Sequence, residues 1–194
     1  MNRIVIGLVA FILGIGLGGI GGFFAGAAST DFGGDLLRSA FITERTADVD
    51  NPKTISRKHF GLQYSGNWTE DQQLEYYEPE HYISIDSPGG SYTMLVIYDM
   101  ASEPGENVDN HVTDYMTSLR EVVRTRFSKW GQYTGTGIEL KGKNMGYYPS
   151  RVRIFSFSSD KKSFTVVEQS YSEDEALTTP GFQLIEQTFK LKNP

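Results

Sequence analysis

Cysteine is absent from the 194-residue chain. Its absence excludes a disulfide framework, a cysteine nucleophile, thiolate ligation of zinc or iron–sulfur clusters, and the lipid-modified cysteine of a bacterial lipoprotein. Clustered positive charge is scarce as well: the longest basic runs are Arg57-Lys58 and Lys161-Lys162, within a formal net charge of −6. Affinity for nucleic acid comes mainly from Lys and Arg that displace counterions, so no nucleic-acid partner is expected. Histidine occurs three times, as His59, His81 and His111. They lie 22 and 30 residues apart, so no helical two-histidine zinc motif exists, and no metal or other cofactor is expected. Charge is nearly missing from the start of the chain. Residues 1–30 carry Arg3 alone, whereas the other 164 hold 17 basic and 24 acidic groups.

Ile4 to Ala28 is a run of 25 uncharged residues. At about 1.5 Å per residue, a helix of that length exceeds the roughly 30 Å hydrocarbon core of a bilayer. Residues 1–30 are therefore expected to form a cytoplasmic stub and a transmembrane helix. Arg3 before the run and Ala25-Gly26-Ala27 near its end also fit a signal peptide cleaved after Ala27. The run is longer than the usual signal core, which favours a retained anchor. Met1-Asn2-Arg3 is the basic flank and Asp31 and Asp35 follow the run, so the N-terminus is expected in the cytoplasm. The remainder then lies on the extracytoplasmic side, periplasmic or extracellular. Gly14, Gly18, Gly22 and Gly26 recur every fourth residue and form overlapping GxxxG motifs on one helix face. Such a face suits close packing against a second copy or another membrane-protein subunit; glycine is also simply common in membrane helices.

Residues 31–53 read as a linker ending at Asn51-Pro52. Leu36, Leu37, Ala40 and Phe41 within it fit a short amphipathic turn, lying either on the membrane surface or on the domain. Residues 54–194 read as the extracytoplasmic domain. Phe60, Leu62 and Tyr64 alternate as in a half-buried strand. Tyr82–Ile85 and Tyr92–Tyr98 flank Pro88-Gly89-Gly90, a hairpin signal, and the second run is apolar enough for a mid-sheet strand covered on both faces. Val112, Tyr115, Met116, Leu119, Val122, Val123 and Phe127 follow a helical period, with Asp109 or Asn110 as cap. Three more strands are expected around Ile138 and Leu140, from Tyr148 through Phe157, and from Ser163 to Tyr171. The last two are joined at Ser159–Lys162. A final helix is expected from Thr179, with Pro180 at its first position and Phe182, Ile185 and Phe189 buried. The order β-β-β-α-β-β-β-α implies a curved antiparallel sheet with helices packed on it, an α+β domain.

The opening phrase Phe60-Gly61-Leu62-Gln63-Tyr64-Ser65-Gly66-Asn67-Trp68 resembles the start of PsbP-like domains. The middle helix, the hairpin Arg151 to Tyr171 and the ending Phe182–Phe189 are similar to that superfamily too, over about residues 55–192. The superfamily includes the extrinsic photosystem II subunit, a Ran-binding import factor and membrane-tethered or secreted bacterial proteins. The resemblance implies a binding or accessory module, and the membrane segment departs from the soluble photosystem subunit.

Chemical motifs are few. Gly137 to Asn144 falls one residue short of a phosphate-binding loop, with Asn144 where Ser or Thr would hold magnesium. No G-x-S-x-G elbow occurs. Asn67-Trp68-Thr69 is a glycosylation sequon. Glu78, Glu80 and His81 read as an acidic solvated loop or, joined by other residues, as metal ligands. With the preceding Tyr76 and Tyr77 they form an aromatic and acidic stretch suited to protein contacts, since tyrosine buries large area at low entropic cost. Alternatively Tyr76 or Tyr77 folds over the sheet edge. No enzyme is expected. The expected function is that of a membrane-anchored accessory protein that docks on or stabilises a membrane-protein assembly; the alternative is a small-ligand or metal-binding sensor in the same place.

Overall fold

The computed structural model describes residues 46–73, 78–159 and 161–192. The expected anchor helix with its row of Gly14, Gly18, Gly22 and Gly26, the expected turn over Leu36–Phe41, and Tyr76 and Tyr77 lie outside the described residues. Described in chain order are β1 (Lys53–Ser56), β2 (Phe60–Tyr64), β3 (Thr69–Glu70), β4 (Tyr82–Asp86) and β5 (Tyr92–Tyr98). Helix α1 (Pro104–Ser118) follows, then β6 (Leu119–Trp130), β7 (Tyr133–Asn144), β8 (Tyr148–Ser159) and β9 (Lys162–Tyr171). A single 3-10 turn (Ser172–Asp174) leads into α2 (Glu175–Thr188) and β10 (Lys190–Leu191). The strands pair antiparallel in two sheets, ordered β1-β2-β10 and β3-β4-β5-β9-β8-β7-β6.

Alternation in the long strands divides the core in two. Phe155 and Phe157 of β8, Phe164 and Val166 of β9, and Leu95 and Ile97 of β5 join Phe60, Leu62, Trp68, Phe182, Ile185 and Phe189 in one cluster, under α2 and the small sheet. Val152 and Ile154 of β8, Val167 of β9 and Leu140 of β7 meet Val108 and Val112 of α1 on the opposite face. Fully burying each such side chain stabilises the fold by about 1.5–3 kcal/mol. β5 lies inside the large sheet, as its sequence implies. Its burial alternates, however, with Thr93, Leu95 and Ile97 buried and Tyr92, Met94 and Val96 half-buried, so α1 does not cover its second face fully.

Three sequence expectations are corrected. The middle helix ends at Ser118, and Leu119 to Trp130 is strand. Pro104 at the first helical turn marks the true start, whereas bulges between Arg120 and Val123 and between Phe127 and Lys129 shift the alternation of β6 into a false helical period. The last helix begins at Glu175, with Pro180 inside it. The Thr178 and Thr179 hydroxyls donate to the Asp174 and Glu175 carbonyls at 2.9 and 2.6 Å, holding the turn before the proline. Finally, part of the segment read as linker is docked: Ala47 is buried and its N–H donates to the Leu177 carbonyl at 3.0 Å, and Lys53 begins β1. Asn67 fastens that segment through its side chain, donating to the Thr46 carbonyl at 2.8 Å and accepting the Asp48 N–H at 3.1 Å. The amide nitrogen of the sequon is thus engaged within the fold.

Gly181 sets how closely α2 approaches Trp68. A Cβ at Gly181 would stand 2.5 Å from Trp68 Cζ2, and the indole is wholly buried, edge-on to Phe182 at 5.2 Å. Gly105 in α1 has open space around the same position. Intrinsic propensity favours Ala over Gly in both helices by about 0.8–1 kcal/mol, while overpacking costs about 1–3 kcal/mol. Urea denaturation is therefore expected to show Gly105→Ala stabilised by up to about 1 kcal/mol and Gly181→Ala destabilised by up to about 2 kcal/mol. Stabilisation by Gly181→Ala would contradict the packing.

Candidate functional site

Two cavities differ in kind, one enclosed and one open to solvent. Between α2 and the large sheet a void of about 10 Å³ is lined by Leu62, Ile83, Thr93, Trp130, Ile185 and Phe189 among others. It has room for no more than a water molecule. The other depression, about 520 Å³ and open to solvent, is lined by Glu78, His81, Ile97, Tyr98, Asp99, Met100, Ser102 and Asn107. It sits where β5 runs out toward α1.

Local structure places each wall. The Ile97 N–H donates to the His81 carbonyl at 2.8 Å, extending the β4–β5 pairing and bringing His81 beside the end of β5. A turn in which the Glu78 carbonyl accepts the His81 and Tyr82 N–H groups, at 2.8 and 2.6 Å, carries Glu78 to the rim. On the far side the Ser102 N–H donates to Ser163 Oγ at 2.7 Å, and Asn107 Nδ2 donates to Ser102 Oγ at 2.7 Å. Ser158 Oγ donates to the Ser102 carbonyl at 2.9 Å. These hydroxyl bonds pin the loop before α1 to the β8–β9 hairpin and fix the groove's floor.

Charged groups gather at one end. His81 Nε2 lies 3.0 Å from Asp99 Oδ2, and its Nδ1 lies 3.5 Å from Glu78 Oε2. Lys162 donates to the other Asp99 oxygen. The Lys162 hydrogen bond, followed by the charges of Lys162 and His81, holds the Asp99 carboxyl below its ordinary value against some desolvation. Burial, then the Lys162 and Lys58 charges, lowers His59. Burial, then the Asp114 carboxylate, raises the Tyr98 phenol. Next to these charges Met100 is 75% exposed and Tyr98 37%.

Both His81 ring nitrogens face carboxylates, and the Ser102 hydroxyl donates to Ser163 Oγ at 2.9 Å. Among the described residues no three His, Asp or Glu side chains group to hold a metal ion. What the groove offers is a flexible thioether and a tyrosine edge beside paired charges, a surface suited to another protein's side chain.

Of the residues expected to face a partner, Glu78 stands on the rim. Glu80 lies in the same turn, where its Oε2 accepts the Lys58 N–H at 2.8 Å. Tyr98, Asp99, Met100 and Lys162 were not legible as a site, because they reach His81 from distant positions. The one local signal is the polar break Asp99–Glu103 between a strand and Pro104. Because the folded-state value of Asp99 is depressed, its pairing favours the folded state above the ordinary Asp value and is lost as pH falls through the depressed one. Lys162→Met is expected to move the Asp99 titration upward, toward the usual carboxylate range, in a carbon-13 NMR titration. An unmoved titration would contradict the pairing.

The sequence matches no protein-family model and no curated protein. Solved structures similar to the chain include the following three. The crystal structure of a protein from Bacteroides thetaiotaomicron VPI-5482 aligns at 11% identity and TM-score 0.45, over 69% of this chain; the chain spans 45% of that protein's length. The crystal structure of LpqN, described as involved in cell envelope biogenesis of Mycobacterium tuberculosis, aligns at 9% identity and TM-score 0.47, over 78% of this chain and 100% of that one. The solution structure of cyanobacterial PsbP (CyanoP) from Synechocystis sp. PCC 6803 aligns at 9% identity and TM-score 0.50, over 74% of this chain and 94% of that one. The domain therefore has a PsbP-like fold, an antiparallel α+β arrangement with two helices among the described residues.

Proposed function

We propose that this chain is a membrane-anchored, non-enzymatic accessory protein whose extracytoplasmic domain docks on or stabilises a membrane-protein assembly. One observation carries the reading: Met100 and Tyr98 stand exposed in an open groove beside the His81–Asp99–Lys162 cluster. Recognition then takes place on the surface and suits a macromolecule better than an enclosed small molecule. The uncharged run Ile4 to Ala28 supports a single membrane span, with Arg3 keeping the N-terminus cytoplasmic. Among the described residues no helix is long and apolar enough to cross a membrane. Gly14, Gly18, Gly22 and Gly26 give the anchor a face on which a second helix packs, from a membrane subunit or another copy. Tyr76 and Tyr77 precede Glu78 in sequence and are proposed as partner contacts with it and Glu80. No cofactor enters this reading.

Crosslinking and co-purification of the full-length chain from native membranes in mild detergent tests it. The parent is expected to recover a defined heteromeric assembly, and Met100→Asp, which changes an exposed side chain, to weaken that recovery about tenfold, as loss of one interface anchor does. Gly18→Leu separates the anchor's contribution. A strictly monomeric chain, or recovery unchanged by both substitutions, would overturn the proposal.

A further inference from the structure

The far side of the large sheet ends in a second exposed feature. β6 is the last strand in its order and pairs with β7 alone among the described residues, so its outward backbone groups lack a strand partner. Bulges at both ends leave one stretch in unbroken register, from Val123 opposite Lys141 to Phe127 opposite Gly137. Within it the side chains separate by face. Arg124 and Arg126 stand opposite Leu140 and Ile138, on the face that carries α1. Val123, Thr125 and Phe127 point to the other face, where Val123 is 65% exposed and Phe127 stacks on Phe155 at 5.8 Å.

Charge distinguishes this edge from the rest of an acidic chain. Lys143 is paired with Glu121 at 2.7 Å, and Lys141 and Arg151 with Glu139 at 3.6 and 2.8 Å. Arg124, Arg126 and Lys129 form no ion pair among the described residues. Charge on an edge strand ordinarily deters pairing with other chains, but that defence leaves Val123 no reason to be exposed between the bulges. The charge also selects the occupant. A second copy paired antiparallel about Thr125 would set Arg124 against Arg126 of its neighbour, and directly opposed like charges destabilise a sheet. A strand with carboxylates at those two positions gains Arg–carboxylate pairs instead.

We infer that the Val123–Phe127 edge of β6 receives an extended segment of a partner protein in which acidic residues alternate with apolar ones, and that this segment adds to the large sheet as an eighth strand. Backbone hydrogen bonds supply the affinity, Arg124 and Arg126 the preference for acidic side chains, and Val123 and Phe127 the apolar contacts between them. The inference rests on the reading of the domain as a binding module. It uses the sheet edge formed by β6, at the opposite end of the strand order from β3 and β4, so either surface can fail without the other.

The test uses the full-length chain in a neutral detergent and two labelled peptides of about ten residues, enough to span the edge. One alternates Glu and Val; the other has the same composition in two blocks. Fluorescence anisotropy is expected to show the alternating peptide bound about tenfold more tightly, and the Arg124→Glu/Arg126→Glu variant to lose that binding by tenfold or more. Amide exchange on the unmutated chain is expected to show outward-facing amides within 123–127 becoming protected when the alternating peptide is added. Equal binding of both peptides without such protection would reduce the edge to a non-specific cationic surface and overturn the inference. Protection that rises with protein concentration in the absence of peptide would assign the edge to a second copy and overturn it as well. Either failure leaves the Met100 groove to be judged by its own experiment.

Discussion

A carboxylate sealed inside the sheet constrains everything around it. Glu168 of β9 is 4% exposed, and a charge in that position is tolerable only while it is paired and hydrogen-bonded. Trp130 Nε1 donates to one oxygen at 3.0 Å and Arg153 Nη1 to the other at 2.8 Å. Arg153 also reaches Glu186 of α2 at 3.4 Å, and the second Glu186 oxygen accepts the Gly131 N–H at 2.7 Å. One buried charge thereby fixes β8 and β9, the β6–β7 turn and the last helix relative to one another. Burial raises the Glu168 carboxyl above its ordinary value, with Arg153 and Trp130 opposing the rise. The folded state therefore holds that proton more tightly than the unfolded chain does, and stability declines as pH rises from the ordinary Glu value through the raised one. The network's value lies in orientation. Breaking such a pair by removing one partner costs about 3–5 kcal/mol, because the remaining charge is left alone.

This arrangement determines where the molecule can act. With the aromatic seam of Trp130, Phe155, Phe157 and Phe189 filling the space beneath α2, the described interior keeps a void of about 10 Å³. The two surfaces proposed for recognition lie at the margins of the sheet. At one margin the β5–α1 junction combines Met100 and Tyr98 with a histidine held between two carboxylates; at the other, β6 presents arginines along an open edge. Both margins are held at fixed positions by the same sheet, so the proposed binding would not have to order either surface and would cost less as a result.

Much of the fold was legible because its signals are local. The Pro88–Gly90 and Ser159–Lys162 hairpins join strands whose own alternation marks them, and both occur as expected. β6 was misread because its bulges, with Glu121 at a positive φ of 54°, displace the strand's period by a residue, so that Val122, Val123 and Phe127 fall on helical spacing. β1 escaped notice since a short, mostly exposed strand has little hydrophobic pattern; its pairing with β2 is a tertiary event. The candidate site was legible only at Glu78, Glu80 and His81. Asp99 and Lys162 are brought to His81 by the pairing of β5 with both β4 and β9, which no short-range pattern encodes.

The groove beside His81 is proposed as a protein-docking surface. Site-specific photocrosslinking tests it most directly, with a benzophenone amino acid placed at position 100 of the full-length chain in its native cells. Tyr147, 82% exposed on the β7–β8 turn, serves as the control position. A discrete light-dependent adduct, heavier than the chain and containing a second membrane protein, is expected from position 100 and not from position 147. No adduct at position 100, or the same mixture of adducts from both positions, would contradict it.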